Sequence, residues 1–256
     1  MKKHLSVLGL FAHHTLLPVL GILLLSCGVQ AISFHLSLRG ALTAYAAGVG
    51  DGFPQLEVLL SRAAVYAWFA LSYILITALL CLCTCQFRAR SSYTLHRLSV
   101  SERTVFLWQW VYNALIYLLL WLVQTVFTFA LCRYYLAAAP AATVSGQTLF
   151  LAWWRSEYLH ALLPLSDIVL WLRNVLLLIS LSLAAAIFPY KQRRGKYSGS
   201  AIALIPFTLI TFERGIADWA HIGIAATVCL IVLCEWITAW LTAEEAEKTE
   251  EVSEHA

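Results

Sequence analysis

Val105-Phe-Leu-Trp-Gln-Trp-Val-Tyr-Asn-Ala-Leu-Ile-Tyr-Leu-Leu-Leu-Trp-Leu-Val-Gln-Thr-Val-Phe-Thr-Phe-Ala-Leu-Cys-Arg-Tyr-Tyr-Leu136 is an apolar stretch whose one formal charge, Arg133, stands near its end. A helix crosses the ~30 Å hydrocarbon core of a bilayer with about 20 predominantly apolar residues, and this stretch is longer than that. It reads as a tilted membrane span whose Trp and Tyr rings suit the membrane–water interfaces. The whole chain agrees with it: 61% of the residues are hydrophobic and 12% charged, against about 45–50% and about 25% in soluble domains. A surplus of that size cannot be hidden in one aqueous core, so lipid must solvate much of the surface. The net charge of +3 is small, and no long basic run reads as a nucleic-acid patch.

Outward from this stretch, further spans are predicted at about 15–38, 63–87, 165–188, 198–212 and 219–241. With 105–136 they make an all-α, polytopic protein of about six transmembrane helices. Leu5, Leu8, Phe11 and Ala12 recur at helical spacing beside Lys2, Lys3 and His4, which predicts a separate interfacial helix over 2–14. The lead to the first apolar run is long and polar, and the run continues past Cys27, so it reads as a span rather than a signal peptide. Gly48, Gly50, Gly52 and Pro54 predict a loop between the first two spans. Residues 140–163 are mixed, and Trp153, Trp154 and Tyr158 beside Arg155 and Glu157 read as interfacial. Pro189 is predicted to end the fourth span. The 198–212 span is short and holds Pro206, so it reads as broken or re-entrant. Residues 1–243 form the membrane domain, and 244–256 an acidic, disordered cytoplasmic tail.

Orientation follows from Lys and Arg on alternate sides. One side carries Lys2, Lys3, Arg88, Arg90, Arg97, Arg103, Lys191, Arg193, Arg194, Lys196 and Lys248; the other carries only Arg39, Arg62, Arg133, Arg155 and Arg214. The richer side is assigned to the cytoplasm, together with both chain ends.

The cytoplasmic stretch 88–104 joins the second and third spans. Ser91 or Ser92 can cap a short helix through Leu98, and Ser99-x-x-Glu102 is a capping box able to start the next span. Such a helix would show Tyr93, Leu95 and Leu98 amid arginines, a surface suited to a groove on a soluble partner. The same loop also reads as a positive topology determinant and no more.

The six-span plan, the short helix between spans two and three, the amphipathic start and the interruption near the fifth span resemble the permease subunits of ABC-2 (type V exporter-like) transporters. Tyr93-Thr-Leu-His-Arg-Leu-Ser-Val-Ser-Glu-Arg103 is similar to the stretch where that family carries its coupling helix. The resemblance implies an ATP-driven exporter subunit in a bacterial cell membrane. It implies a second permease subunit, either a copy of this chain or a paralogue. It implies an ATP-binding cassette ATPase subunit that binds ATP and Mg and docks on Tyr93, Leu95, Arg97, Leu98 and Arg103. The chain itself has no G-x-x-x-x-G-K-[ST] loop, so no cofactor is assigned to it and the engine would be another chain.

Ionisable residues inside spans are costly and mark candidate pathways. Arg173 and Asn174 in the fourth span and Glu235 in the sixth form the candidate substrate path. At 1.5 Å per residue, Arg173 lies about 10 Å inside the outer face and Glu235 about 10 Å inside the inner face, so they are not expected to pair. Glu213 or Asp218 is the better-placed partner for Arg173; a structural polar contact is the plain alternative for all three. His160 and His221 read as interfacial. No catalytic or metal residue is assigned. Cys81-x-Cys83-x-Cys85 lacks converging ligands. Ser198-Gly199 with His221 invites comparison with an intramembrane serine protease, but the two are expected near opposite faces. A non-transporting membrane scaffold is the remaining alternative.

Overall fold

The computed structural model describes residues 2–49, 52–82, 102–165, 167–193, 196, 198–213 and 218–254. They form α1 (Lys2–Ala46), α2 (Leu56–Arg62), α3 (Val65–Leu82), α4 (Glu102–Ala138), a 3-10 turn at Ala141–Thr143, α5 (Thr148–Arg155), α6 (Glu157–Leu162), α7 (Ile168–Arg193), α8 (Ser200–Glu213) and α9 (Asp218–Glu254). No strand occurs among the described residues.

The polarity of α4 is inverted relative to a helix in water. Its exposed face carries Leu107, Val111, Leu115, Leu118, Leu122, Val126 and Phe129 at spacings of three and four, whereas Gln109, Asn113, Gln124 and Thr128 are buried. A soluble monomer rarely leaves so continuous an apolar surface open, and in hydrocarbon it is the polar groups that must be turned inward. Five helices, α1, α3, α4, α7 and α9, are long and apolar enough to cross a membrane. The chain is a multi-pass helical membrane protein.

α8 corrects the fifth span. It is an unbroken helix of 14 residues with Pro206 inside it, about 21 Å long and short of the hydrocarbon thickness. It still carries the chain between the two ends of the bundle. Ser198, just before it, bonds Glu235, while the Leu209 carbonyl accepts from Tyr66 near the start of α3. The lower end of the bundle is marked by Arg103, Tyr190 and Trp240, with the Arg103 guanidinium 5.1 Å from the Trp240 ring centre. α1 begins at this end, since Phe11 and Thr15 meet Tyr112, and α9 leaves the bundle there. The upper end is a second core, where Phe34, Leu38 and Tyr135 pack with α2, α5 and α6.

α1 replaces the expected pair of helices over 2–14 and 15–38. It runs unbroken for 45 residues. Val7, Phe11, Thr15, Val19 and Leu23 recur every fourth residue and are all buried, so one stripe joins the two expected segments. His13 and His14, which mark a boundary in the sequence, lie off that stripe. α7 is the central helix and packs on α4, α9, α3 and α8. Ser180, Leu181, Ser182, Leu183, Ala184, Ala185 and Ala186 are all buried, and the small side chains let neighbouring backbones approach closely. The helix also continues past Pro189 to Arg193. The lost backbone bond is offset because Tyr190 donates to the Ala239 carbonyl at 3.2 Å and packs on Phe106, and Lys191 pairs with Glu235. The expected disordered tail is helical through Glu254; Ala, Glu and Lys are good helix formers, and extending an existing helix needs no new nucleus.

Candidate functional site

Between α3, α4, α7 and α8 lies an apolar cavity of about 260 Å³. Phe69 and Tyr73 of α3, Tyr117 and Trp121 of α4, and Leu178 and Leu181 of α7 form its walls, with Thr208 and Leu209 on the α8 side. The Tyr73 and Tyr117 ring centres are 6.2 Å apart. The Tyr117 hydroxyl donates to Thr77 Oγ1 at 3.1 Å. Thr77 lines a second cavity of about 190 Å³ between α3, α7 and α8, toward the lower end, so the Tyr117–Thr77 bond stands between the two spaces. α8 is thus flanked by open volume along its contact with α3.

The upper lining residues of the larger cavity, Asn174 and Trp121, hold the end of α6, which roofs the cavity through them. A helix leaves its last carbonyls without intrahelical partners, and away from water each needs a donor. Three consecutive carbonyls find one here. Asn174 Nδ2 donates to Ala161 O at 2.9 Å, Trp121 Nε1 to Leu162 O at 2.8 Å, and Trp153 Nε1 to Leu163 O at 3.1 Å. Asn174 and Trp121 also line the cavity, so two of its wall residues are the tethers of its roof. At the other end of α6, Ser156 caps the helix by accepting from Leu159 N at 3.4 Å.

α6 also reaches across the bundle through Tyr158. Gln30 of α1 and Gln124 of α4 exchange two hydrogen bonds, at 2.9 and 3.2 Å, and Gln124 Nε2 lies 3.0 Å from the Tyr158 hydroxyl. Burial pushes the Tyr158 phenol well above its usual range, so it stays neutral at physiological pH. Polar side chains that pair across helices in this way hold membrane bundles together.

The sequence-derived path residues divide into two places. Arg173 is 1% exposed. Its Nε and Nη2 donate to Asn174 Oδ1 at 3.2 and 2.9 Å, and its Nη1 to His221 Nδ1 at 3.4 Å. Arg173 and Asn174 therefore sit together at the roof. The side chains of Glu213 and Asp218, the partners expected for Arg173, lie outside those described. His221, in the first turn of α9, is buried and faces that guanidinium; His160 lies beside Trp154 in the upper cap. Glu235 is elsewhere. It accepts from Lys191 Nζ at 2.5 Å and Ser198 Oγ at 3.0 Å, and stands 14 residues from His221 along α9, about 21 Å away. Ser198 and His221 are therefore not a catalytic pair.

Of the expected docking residues, Tyr93, Leu95, Arg97 and Leu98 lie outside the described residues, as do Cys83 and Cys85. Arg103 is described, and it packs on Trp240 within the bundle. The residues that sequence reasoning passed over are Gln30, Gln124, Tyr158, Trp121 and Tyr117. A signal for the first two existed, since an amide in the middle of an apolar run asks for a partner in another helix.

No protein-family model matches the chain, and no curated protein or solved structure matches it significantly. Fold and site together define a multi-pass helical membrane protein with an apolar cavity inside the bundle.

Proposed function

We propose that this chain is the membrane-spanning permease subunit of an ATP-driven exporter in a bacterial cell membrane, of the ABC-2 kind. A separate ATP-binding cassette subunit binds ATP and Mg, and a second permease subunit, a copy of the chain or a paralogue, completes the pathway. The observation that carries the reading is the placement of the two helix ends that flank the α3–α4 connection. α3 ends and α4 begins at the lower end of the bundle, where α1 also starts and α9 leaves. The predominance of Lys and Arg in the sequence on that side supports a cytoplasmic placement, in which the end of α3 and the start of α4 face a soluble ATPase. Arg103, the last arginine of the connection, rests on Trp240, so a pull on the loop would reach α9. The cavity beside the short α8 supports the same reading, because loosely packed helices leave room for movement.

The test is purification of the tagged chain in mild detergent with its ATPase, followed by hydrolysis and transport assays. Leu98→Asp, which places a charge on the apolar side of the proposed docking helix, is expected to separate the two chains or leave hydrolysis uncoupled from transport. Normal assembly and coupled turnover in that variant would remove the docking assignment. An ATPase that never accompanies the chain would leave a non-transporting scaffold.

A further inference from the structure

The cavity between α3, α4, α7 and α8 meets the outer surface of the bundle. Leu118 and Val175 line it, yet they are 37% and 49% exposed, on the α4 and α7 faces turned toward lipid. The opening is therefore lateral, between α4 and α7. Two of its polar side chains are already engaged: the Tyr117 hydroxyl with Thr77, and the Asn174 amide with Ala161 and Arg173. A buried water needs about 2–4 polar partners, and a space lined almost wholly by Leu, Val and aromatic carbon does not supply them. At about 260 Å³ the cavity exceeds the ~150 Å³ that is enough to hold a benzene ring in an apolar protein core. What stands at its mouth is the hydrocarbon of the bilayer.

The geometry points to a site for a single hydrocarbon chain of an amphiphile, entering from the bilayer between Leu118 and Val175. Along α7 the walls run from Asn174 down to Leu181, about 10 Å. Polar groups stand at both limits of this run: the Tyr117 hydroxyl with Thr77 below, and Asn174 and Trp121 with the last carbonyls of α6 above. The hydrocarbon chain lies along Leu178 and Leu181, between these two limits. A bound chain touches Asn174 and Trp121 directly, so its occupancy bears on the two tethers of α6. As cargo, the amphiphile rests on the permease reading; as a ligand, it does not.

The experiment uses the full chain in lipid nanodiscs and a palmitic acid carrying a mid-chain diazirine. After photolysis, adducts are mapped by mass spectrometry with and without excess palmitic acid. Labelling is expected to saturate, to concentrate on Leu118, Trp121, Val175 and Leu178, and to fall about five-fold or more in Leu178→Trp, which fills the space. Val175→Trp blocks the exposed mouth without touching the packed interior, and gives the same loss if Leu178→Trp fails to fold. Labelling that does not saturate, that spreads equally over outer residues such as Leu24 and Ile202, or that survives Val175→Trp overturns the proposal. Release of the bound probe during ATP turnover of the assembled complex identifies it as cargo. Retention through turnover identifies a resident lipid, and either result supports the chain site. Saturable labelling without any associated ATPase sustains the site while removing the permease reading; coupled transport with unspecific labelling does the reverse.

Discussion

Asn174 and Ala161 are joined by a 2.9 Å hydrogen bond from a side-chain amide on α7 to the last turn of α6, and that bond helps to close the roof of the cavity. α6 has six residues, too few to be stable alone. It persists because its ends are capped from elsewhere in the chain. Asn174→Leu is expected to leave the Ala161 carbonyl with Arg173 Nη2 alone, at 3.5 Å, to take from the buried Arg173 guanidinium its Oδ1 acceptor, and to cost at least about 1–2 kcal/mol, the cost of one unmet buried group. Hydrogen exchange should quicken over 157–163 and stay unchanged in the buried half of α7. Uniform exchange across both segments would mean that α6 does not depend on this tether.

The Gln30–Gln124 pair should behave as a unit. Removing one amide leaves the other buried in an apolar bundle, so Gln30→Leu and Gln124→Leu are each expected to destabilise by about 1–2 kcal/mol. The double variant should cost less than the two single variants added together. Gln124→Leu should be the worse single change, because Gln124 also bonds Thr128 and Tyr158. Unfolding in mixed micelles gives all four corners of the cycle; strict additivity would contradict the pairing.

Lys191 and Glu235 hold the lower end of α7 to α9, and both are largely buried, at 19% and 17% side-chain exposure. Glu235→Leu strands the ammonium and releases Ser198, with an expected loss of about 1–3 kcal/mol. Adding Lys191→Met should recover a good part of it. A double variant as unstable as Glu235→Leu would show that the carboxylate acts mainly through Ser198.

Ala64 joins α2 to α3 with φ at +52°, in the left-handed region where a side chain is strained. Ala64→Gly relieves the strain and should raise stability by about 0.5–1 kcal/mol, read as a rise of about 1–4 °C in Tm. A fall in Tm would show that the added chain freedom outweighs the relief.

Much of the bundle was legible because a span needs only length and apolar content. The stretch around Val105–Leu136 therefore gave α4 within a few residues. Boundaries drawn from polar residues fared worse. His13 and His14 divide α1 in the sequence, whereas Val7, Phe11 and Thr15 continue its buried stripe; Pro189 reads as a stop, whereas Tyr190 and Lys191 are held by α9. Of the site, Arg173 and Asn174 were legible as polar groups in a span. Their partners were not, because Ala161 and His221 lie in other elements. The Gln30–Gln124 contact spans 94 residues, a separation at which local pattern carries no information about pairing. α6 was least legible of all, since its short sequence is helical only with caps from Asn174, Trp121 and Trp153.

The most direct test of the permease reading is photo-cross-linking from position 98 in intact cells. With a photoreactive amino acid in place of Leu98, the expected product is a covalent adduct to a cytoplasmic nucleotide-binding protein, lost when that protein is deleted. Labelling of the same position by a membrane-impermeant reagent added outside the cell, or a cytoplasmic position with no adduct, would contradict it.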